Sequence, residues 1–237
     1  MAEKLTPEKI EEIAKNFEKI QDKKIPIIKG EKETVKLDYG SLDQLRPKDK
    51  PKAPEKRLLP LIPPSDPRLL MQVAPFIDDT LKEFDFKDRV DLSKVMYDSM
   101  VKYGGLGLSA NQVGLPYRMF VMGGHPQIED GKVRSVFNPL INDVSKETVQ
   151  FKEGCLSYPF LFLNITRPKW CHVKYTDEHG KDVEEILHGM SARVFQHENE
   201  HMNGYVFTDL VSKFKLERAE KAKIKMLKDY ARGGAIR

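Results

Sequence analysis

The sequence has few cysteines, no long apolar run and no strong excess of charge of either sign. Its 237 residues include two cysteines, Cys155 and Cys171, and a single pair cannot form the disulfide framework of a small secreted protein. We therefore expect a reduced, cytoplasmic setting. No stretch approaches the ~18 apolar residues of a membrane span, so we expect a soluble protein without a membrane partner. The net charge of +4 does not by itself indicate a nucleic-acid partner.

Composition divides the chain into three parts. Residues 1–57 combine a predicted amphipathic helix with a linker rich in proline and lysine. That helix either docks on its own domain or binds a partner. Residues 58–212 are predicted to form the compact domain. Residues 213–237 hold nine basic and three acidic side chains, and we interpret them as a basic helix or tail, either a solvated helix face or a contact for RNA.

Hydrophobic periodicity predicts the elements of the central part. Residues 91–103 are predicted to be helical, and a longer helix is predicted to begin near Met190 and to end at Gly204. Strands are predicted at residues 118–122, 135–141, 172–177 and 183–187, the last two forming a hairpin. An order of strands, a long helix and further strands favours an α+β fold, with antiparallel or mixed sheets packed around a central helix.

The long helix carries a pattern that suits a metal ion. His197 and His201 are four residues apart, which places both imidazoles on one helical face with Cβ atoms about 5–6 Å apart. Glu198 follows the first histidine and can approach a metal-bound water without being a ligand itself. The pattern fixes only three positions. Two histidines that bind no metal, in the core or on the surface, would match it equally well.

Cys155 is the candidate for a third ligand. A thiolate with two imidazoles forms a tetrahedral site whose fourth position is open to water, although a free cysteine is more often a small core residue. The downstream positions that proteases use are poorer candidates. Phe207 stands where one protease pattern needs a third histidine, while Glu217 and Glu220 lie in a lysine-rich stretch that we expect to be solvated.

Three segments in order resemble peptide deformylases: GLGLSANQ (105–112), EGCLS (153–157) and QHENEHMNG (196–204). The resemblance runs from about Leu58 to Ser212. This sequence departs from the family pattern at Ser109, where alanine is usual, and at Glu200, where aspartate is usual. It also has Phe162 where many bacterial members carry an arginine that helps to hold the peptide. The apolar run around Phe162 is similar to phage-encoded members, so the host is expected to be a bacterium or a phage-infected cell.

The resemblance implies removal of the formyl group from the N-terminal formylmethionine of newly made polypeptides. A metal-bound water would attack the formyl carbon with Glu198 as general base and then acid, while the Gln112 side chain and the Leu156 N–H would stabilise the oxyanion. The metal is expected to be Fe²⁺, and Zn²⁺ or Ni²⁺ also fit Cys155, His197 and His201. The residues assigned to substrate binding are Gly105, Leu106, Gly107, Glu153, Gly154, Met190 and Val194.

Some interpretations stay open at this stage. Glu153 is hypothesised to pair with Arg167 and so to fix the loop that carries Cys155. The chain could instead be an HExxH metalloprotease, or a catalytically inactive relative that binds the ribosome. Bacterial deformylases dock near the ribosomal tunnel exit through a basic C-terminal helix, so the resemblance implies a ribosome contact for the basic tail.

Overall fold

The structure is a computed structural model that describes residues 56–231. The predicted N-terminal helix and nearly all of the predicted linker lie outside the described residues. Lys56–Lys223 form one compact unit, to which Ile224–Ala231 do not belong. No helix in the described range is long and apolar enough to cross a membrane.

The described part of the chain contains three α-helices and seven strands. The helices are α1 (Arg89–Lys102), α2 (Gly189–Met202) and α3 (Lys213–Ala231). The strands are β1 (Gly107–Ser109), β2 (Met119–Met122), β3 (Arg134–Val144), β4 (Thr148–Cys155), β5 (Tyr158–Pro168), β6 (Trp170–Thr176) and β7 (Asp182–His188).

The strands form two sheets in which every neighbouring pair is antiparallel. The larger sheet has five strands in the order β1-β2-β3-β6-β7, and β4 pairs with β5 as a separate two-stranded sheet. This arrangement confirms the predicted α+β class with sheets around a central helix. Parallel pairing, which a mixed sheet would require, is absent from residues 56–231.

The two sides of β2 show how the helices are held on the larger sheet. Met119 and Val121 belong to an apolar cluster that includes residues of α1. Phe120 and Met122 belong to a second cluster that includes residues of α2. The ring of Phe195 on α2 meets that of Phe120 edge to face, with the centroids 5.1 Å apart. Burial of apolar side chains on both faces of β2 therefore holds α1 against one face of the sheet and α2 against the other.

The structure corrects two sequence predictions and contains one strand pair that was not predicted. A 3-10 helix at Phe207–Leu210 follows α2, where further strands were predicted, and α3 then forms within the residues interpreted as a basic helix or tail. Residues 107–109, which resembled part of a glycine-rich loop, form strand β1. The β4–β5 pair was not predicted at all. Exposed Phe162 lies between buried Leu161 and Leu163, so the apolar run hides the alternation by which a strand is recognised.

Candidate metal centre

Three side chains from distant parts of the sequence meet at the inner face of α2. His197 and His201 lie one helical turn apart, with ring centroids separated by 5.2 Å. Cys155 is the last residue of β4, and its Sγ lies 3.3 Å from Nε2 of His201. Ligand atoms of all three residues lie within 4.8 Å of one another. Within residues 56–231, no other group of three His, Cys, Asp or Glu side chains comes as close together.

These donors fit a divalent metal ion. A thiolate and two imidazoles form a tetrahedral site with one position open, using bonds of about 2.0–2.3 Å, and the spacing of the donor atoms suits such bonds. Both histidines are buried, whereas Cys155 is partly exposed. The site therefore has a closed back, formed by α2, and a more open side at the end of β4.

The two imidazoles have opposite pKa shifts. Burial opposes protonation of His197, yet hydrogen bonds to Cys155 and Glu153 raise its pKa well above the usual value. Burial lowers the pKa of His201 well below the usual value, and the charges of His197 and Arg167 add to this effect. A metal ion held here would need both imidazoles in the neutral form.

The carboxylate of Glu153 lies directly behind His197. Its Oε2 is 3.2 Å from Nδ1 of the imidazole, and Arg167 donates to both carboxylate oxygens at 2.7 and 3.0 Å. Arg193 donates to the same carboxylate. The predicted pair of Glu153 with Arg167 is therefore confirmed. Burial raises the pKa of Glu153, but the hydrogen bonds from His197 and Arg167 outweigh it and lower the pKa to about 2.

The surroundings of Glu153 argue against the role that the sequence analysis assigned to it. The side chain is 7% exposed, and both carboxylate oxygens already accept hydrogen bonds from protein groups. A carboxylate in this position orients the imidazole of His197 rather than contacting a substrate.

Strand β1 holds the carboxylate of Glu198 from two sides. Ser109 Oγ donates to Oε2 of Glu198 at 2.6 Å. A Cβ placed on Gly107 would lie 2.4 Å from Oε1, so glycine leaves the space that the carboxylate occupies. Burial raises the pKa of Glu198, against the opposing effects of His197 and of the hydrogen bond from Ser109. A raised pKa suits a carboxylate that takes up and releases a proton near neutral pH.

The other two predicted catalytic groups adjoin Cys155. Gln112 lies in a 3-10 helix at Ala110–Val113 that directly follows β1. Its Nε2 is 3.4 Å from the Sγ of Cys155 and donates to Ser157 Oγ at 3.0 Å, while its Oε1 accepts from the N–H of Ser109. Leu156 occupies the turn between β4 and β5, immediately after Cys155.

The residues assigned to substrate binding fall into two groups. Leu106, Met190 and Val194 share one apolar cluster, in which Val194 is buried and the other two are partly buried. The glycines are closely approached. A Cβ on Gly105 would lie 2.7 Å from the Leu156 side chain, and one on Gly154 would lie 2.9 Å from the ring of Phe162. Their roles toward a substrate stay predictions.

Arg193 was not predicted from the sequence to belong to the site, and no role was predicted for Ser109 or Glu200. Glu200 accepts two hydrogen bonds from Arg167, at 2.5 and 2.9 Å. Arg193 could have been found, because it lies four residues before His197 on the same helical face and a buried cation requires a partner. The contact between Ser109 and Glu198 joins residues 89 positions apart, and nothing local in the sequence indicates it.

Comparison with known proteins identifies relatives of this chain. The family model described as polypeptide deformylase matches residues 63–217. A peptide deformylase of Fusobacterium nucleatum is 35% identical over 154 residues, which cover 61% of this chain and 85% of that protein. A peptide deformylase of Thermotoga maritima is 45% identical over 117 residues, covering 49% of this chain and 68% of that protein.

Solved structures show the same similarity. The peptide deformylase of Ehrlichia chaffeensis in complex with actinonin matches with a TM-score of 0.61 and 37% identity, covering 71% of this chain and 97% of that one. The Met-Ala-Ser-bound enzyme of Acinetobacter baumannii matches with a TM-score of 0.61 and 27% identity, covering 66% of this chain and all of that one.

The two cysteines allow a direct test of the metal centre. We expect Cys155→Ala to weaken Zn²⁺ binding by more than ~100-fold, since loss of an outer partner alone costs up to about that much. Cys171→Ala is the matched control, because Cys171 is buried in the apolar cluster beneath α2 and should leave affinity unchanged. Calorimetric titration of the metal-free proteins measures both. Equal affinities of the two variants would rule out Cys155 as a ligand.

Proposed function

Since this chain belongs to the peptide deformylase family, we propose that it removes the formyl group from the N-terminal formylmethionine of newly made polypeptides by metal-dependent hydrolysis. The observation that carries this proposal is the meeting of Cys155, His197 and His201 beside the buried carboxylate of Glu198. The substrate is a formyl-Met peptide, and the reaction breaks one linear amide bond to release formate and a free amino terminus.

The ligands of the ion are proposed to be Cys155, His197 and His201. When bound there, a divalent ion lowers the pKa of the water that it holds and polarises the formyl oxygen. The family resemblance favours Fe²⁺ as the native metal, and the mixed thiolate and imidazole set also suits Zn²⁺ or Ni²⁺.

Glu198 is proposed to move the proton in this reaction. Its carboxylate takes the proton from the attacking water and delivers it to the nitrogen of the leaving amine. The hydrogen bond from Ser109 and the space above Gly107 support this role, because they keep the carboxylate in one orientation within a buried site. A carboxylate held in place does not have to be reoriented during the reaction.

Gln112 and Leu156 are proposed to stabilise the oxyanion that forms on the formyl group. The side-chain N–H of Gln112 lies beside the sulfur of Cys155, and Leu156 follows that cysteine directly. Donors directed at a developing oxyanion commonly contribute ~10²–10³ in rate. Leu106, Met190 and Val194 are the proposed apolar contacts for the methionine side chain, and the glycines at 105, 107 and 154 are the proposed main-chain contacts.

Two observations weigh against a metalloprotease. Phe207 stands where one protease pattern has a third histidine. Its ring centroid lies 5.8 Å from that of His197, but the ring has no atom that can bind a metal. Cys155 already supplies a third donor at the site. An inactive relative keeps the same geometry, and the formate assay below separates it from an enzyme.

Glu198→Gln tests the proposed role of the carboxylate. With Fe²⁺ under anaerobic conditions, we expect the unsubstituted chain to release formate from formyl-Met-Ala-Ser. We expect the variant to be slower by ~10²–10⁴-fold, since it cannot carry the proton, while its metal content stays the same. Glu184→Gln, at a half-exposed carboxylate on β7, should retain the full rate. Equal rates for the unsubstituted chain and Glu198→Gln, or no formate from either, would contradict the proposal.

Gly107→Ala tests the space beside Glu198. The added methyl would displace a catalytic carboxylate, and a shift of about 1 Å can cost ~10²-fold in rate. We expect kcat to fall at least tenfold, with bound metal little changed. Gly131→Ala is the control for lost stability, because a φ of +89° strains alanine although its Cβ would meet no atom within 4 Å, and it should leave kcat unchanged. An unchanged kcat for Gly107→Ala would show that the close approach does not position Glu198.

We also propose that the basic α3 contacts ribosomal RNA. The exposed cations of its first two turns, Lys213, Lys215 and Arg218, support this proposal, because a basic helix gains free energy from counterion release on RNA. We expect the protein to co-sediment with ribosomes and to dissociate as salt rises, and glutamate at all three positions should weaken binding at every salt concentration. Salt-insensitive co-sedimentation, or none, would contradict the contact.

A further inference from the structure

Arg193 is a buried cation that the proposed reaction does not use. It lies on α2, one turn before His197, and is 6% exposed. A buried charge is costly unless it is paired and hydrogen-bonded. Its Nη1 donates to the carboxylate of Glu153 and to the carbonyl of Ile165 at 3.2 Å, and its Nη2 donates to the carbonyl of Val149 at 2.7 Å.

The three acceptors of Arg193 connect the two sources of metal ligands. Val149 and Glu153 lie on β4, and Ile165 lies on the partner strand β5. The guanidinium also lies over the ring of Phe151, 5.6 Å from its centroid. Because β4 ends at Cys155 and α2 carries both imidazoles, one side chain ties the strand pair with the thiolate to the helix with the imidazoles.

The carboxylate of Glu153 links Arg193 to the proposed ligand His197. Two buried guanidinium groups, Arg193 and Arg167, share the carboxylate of Glu153, and Arg167 also binds Glu200. Two cations are therefore set against two carboxylates. Glu153 then accepts from Nδ1 of His197 as well. Lysine at position 193 would keep the charge but could not reproduce a planar fork that reaches a carboxylate and two carbonyls.

We propose that Arg193 is a positioning residue for the metal centre, which fixes the sulfur of Cys155 relative to the imidazoles of His197 and His201. The inference rests on the proposed metal site and not on the deformylation chemistry. It therefore predicts a change in metal binding that can be measured without substrate.

The test uses the full chain, freed of metal and titrated anaerobically with Co²⁺, with Arg193→Lys and Arg193→Gln as variants. Thiolate ligation of Co²⁺ gives a charge-transfer absorption that reports on Cys155, and the visible bands report on coordination geometry. We expect both variants to bind Co²⁺ about 10–100-fold more weakly and to have a weakened or shifted charge-transfer band. The loss should be smaller for lysine than for glutamine, because lysine retains the charge.

Arg134→Lys is the matched control for loss of a buried arginine. Arg134 is 4% exposed and forms ion pairs with Glu129 and Glu185, apart from the metal ligands. We expect this variant to lose stability on urea unfolding but to keep the cobalt affinity and spectrum of the unsubstituted chain.

Each other outcome overturns a defined claim. Unchanged affinity and spectrum in both Arg193 variants, or an equal loss in Arg134→Lys, would overturn the positioning role. If circular dichroism shows both Arg193 variants to be unfolded while Arg134→Lys is folded, Arg193 has a structural role and the inference fails. If the unsubstituted chain shows no charge-transfer band, the metal site itself is wrong.

Discussion

The hydrogen bonds of the buried Glu153 carboxylate connect the parts of the chain that supply the proposed metal ligands. It lies on the strand that ends at Cys155 and accepts from the imidazole of His197 on the helix. Hydrogen bonds from His197 and Arg167 keep it ionised in a buried position, and Arg193 donates to it as well. An ionised acceptor fixes the ring orientation of a histidine ligand, which determines where its other nitrogen points. The three proposed ligands thus adjoin a charge network that lies outside the candidate metal centre.

The pKa values of two buried glutamates near this site are shifted in opposite directions because their neighbours differ. Glu153 receives hydrogen bonds from His197 and arginine side chains, and its pKa falls to about 2. Glu198 receives its side-chain hydrogen bond from a neutral hydroxyl, that of Ser109, so burial prevails and its pKa is raised. The first suits permanent ionisation and the second suits proton transfer. The surroundings of each carboxylate therefore suit Glu153 to orienting an imidazole and Glu198 to acting as a general acid and base.

How well the sequence predicts a contact depends on how far apart the two residues lie along the chain. The helix with its two histidines follows from local periodicity, and so does the β6–β7 hairpin. The β4–β5 pair was missed because exposed aromatic residues obscured its alternation. Gln112 and Cys155 are 43 positions apart, so no local pattern indicates that they are close. Their proximity was implied only by the family resemblance. The contact of Ser109 with Glu198 was indicated by neither route.

By itself the sequence identified the candidate metal ligands, because the spacing of His197 and His201 sets their shared helical face and the donor chemistry favours a thiolate as their partner. The tertiary structure alone decided how those donors are held. It packed the β4–β5 pair on α2 and buried Glu153 with two arginines behind His197. It also placed Gly107 against Glu198. These contacts join separate elements, and burial makes each of them depend on all the packing around it.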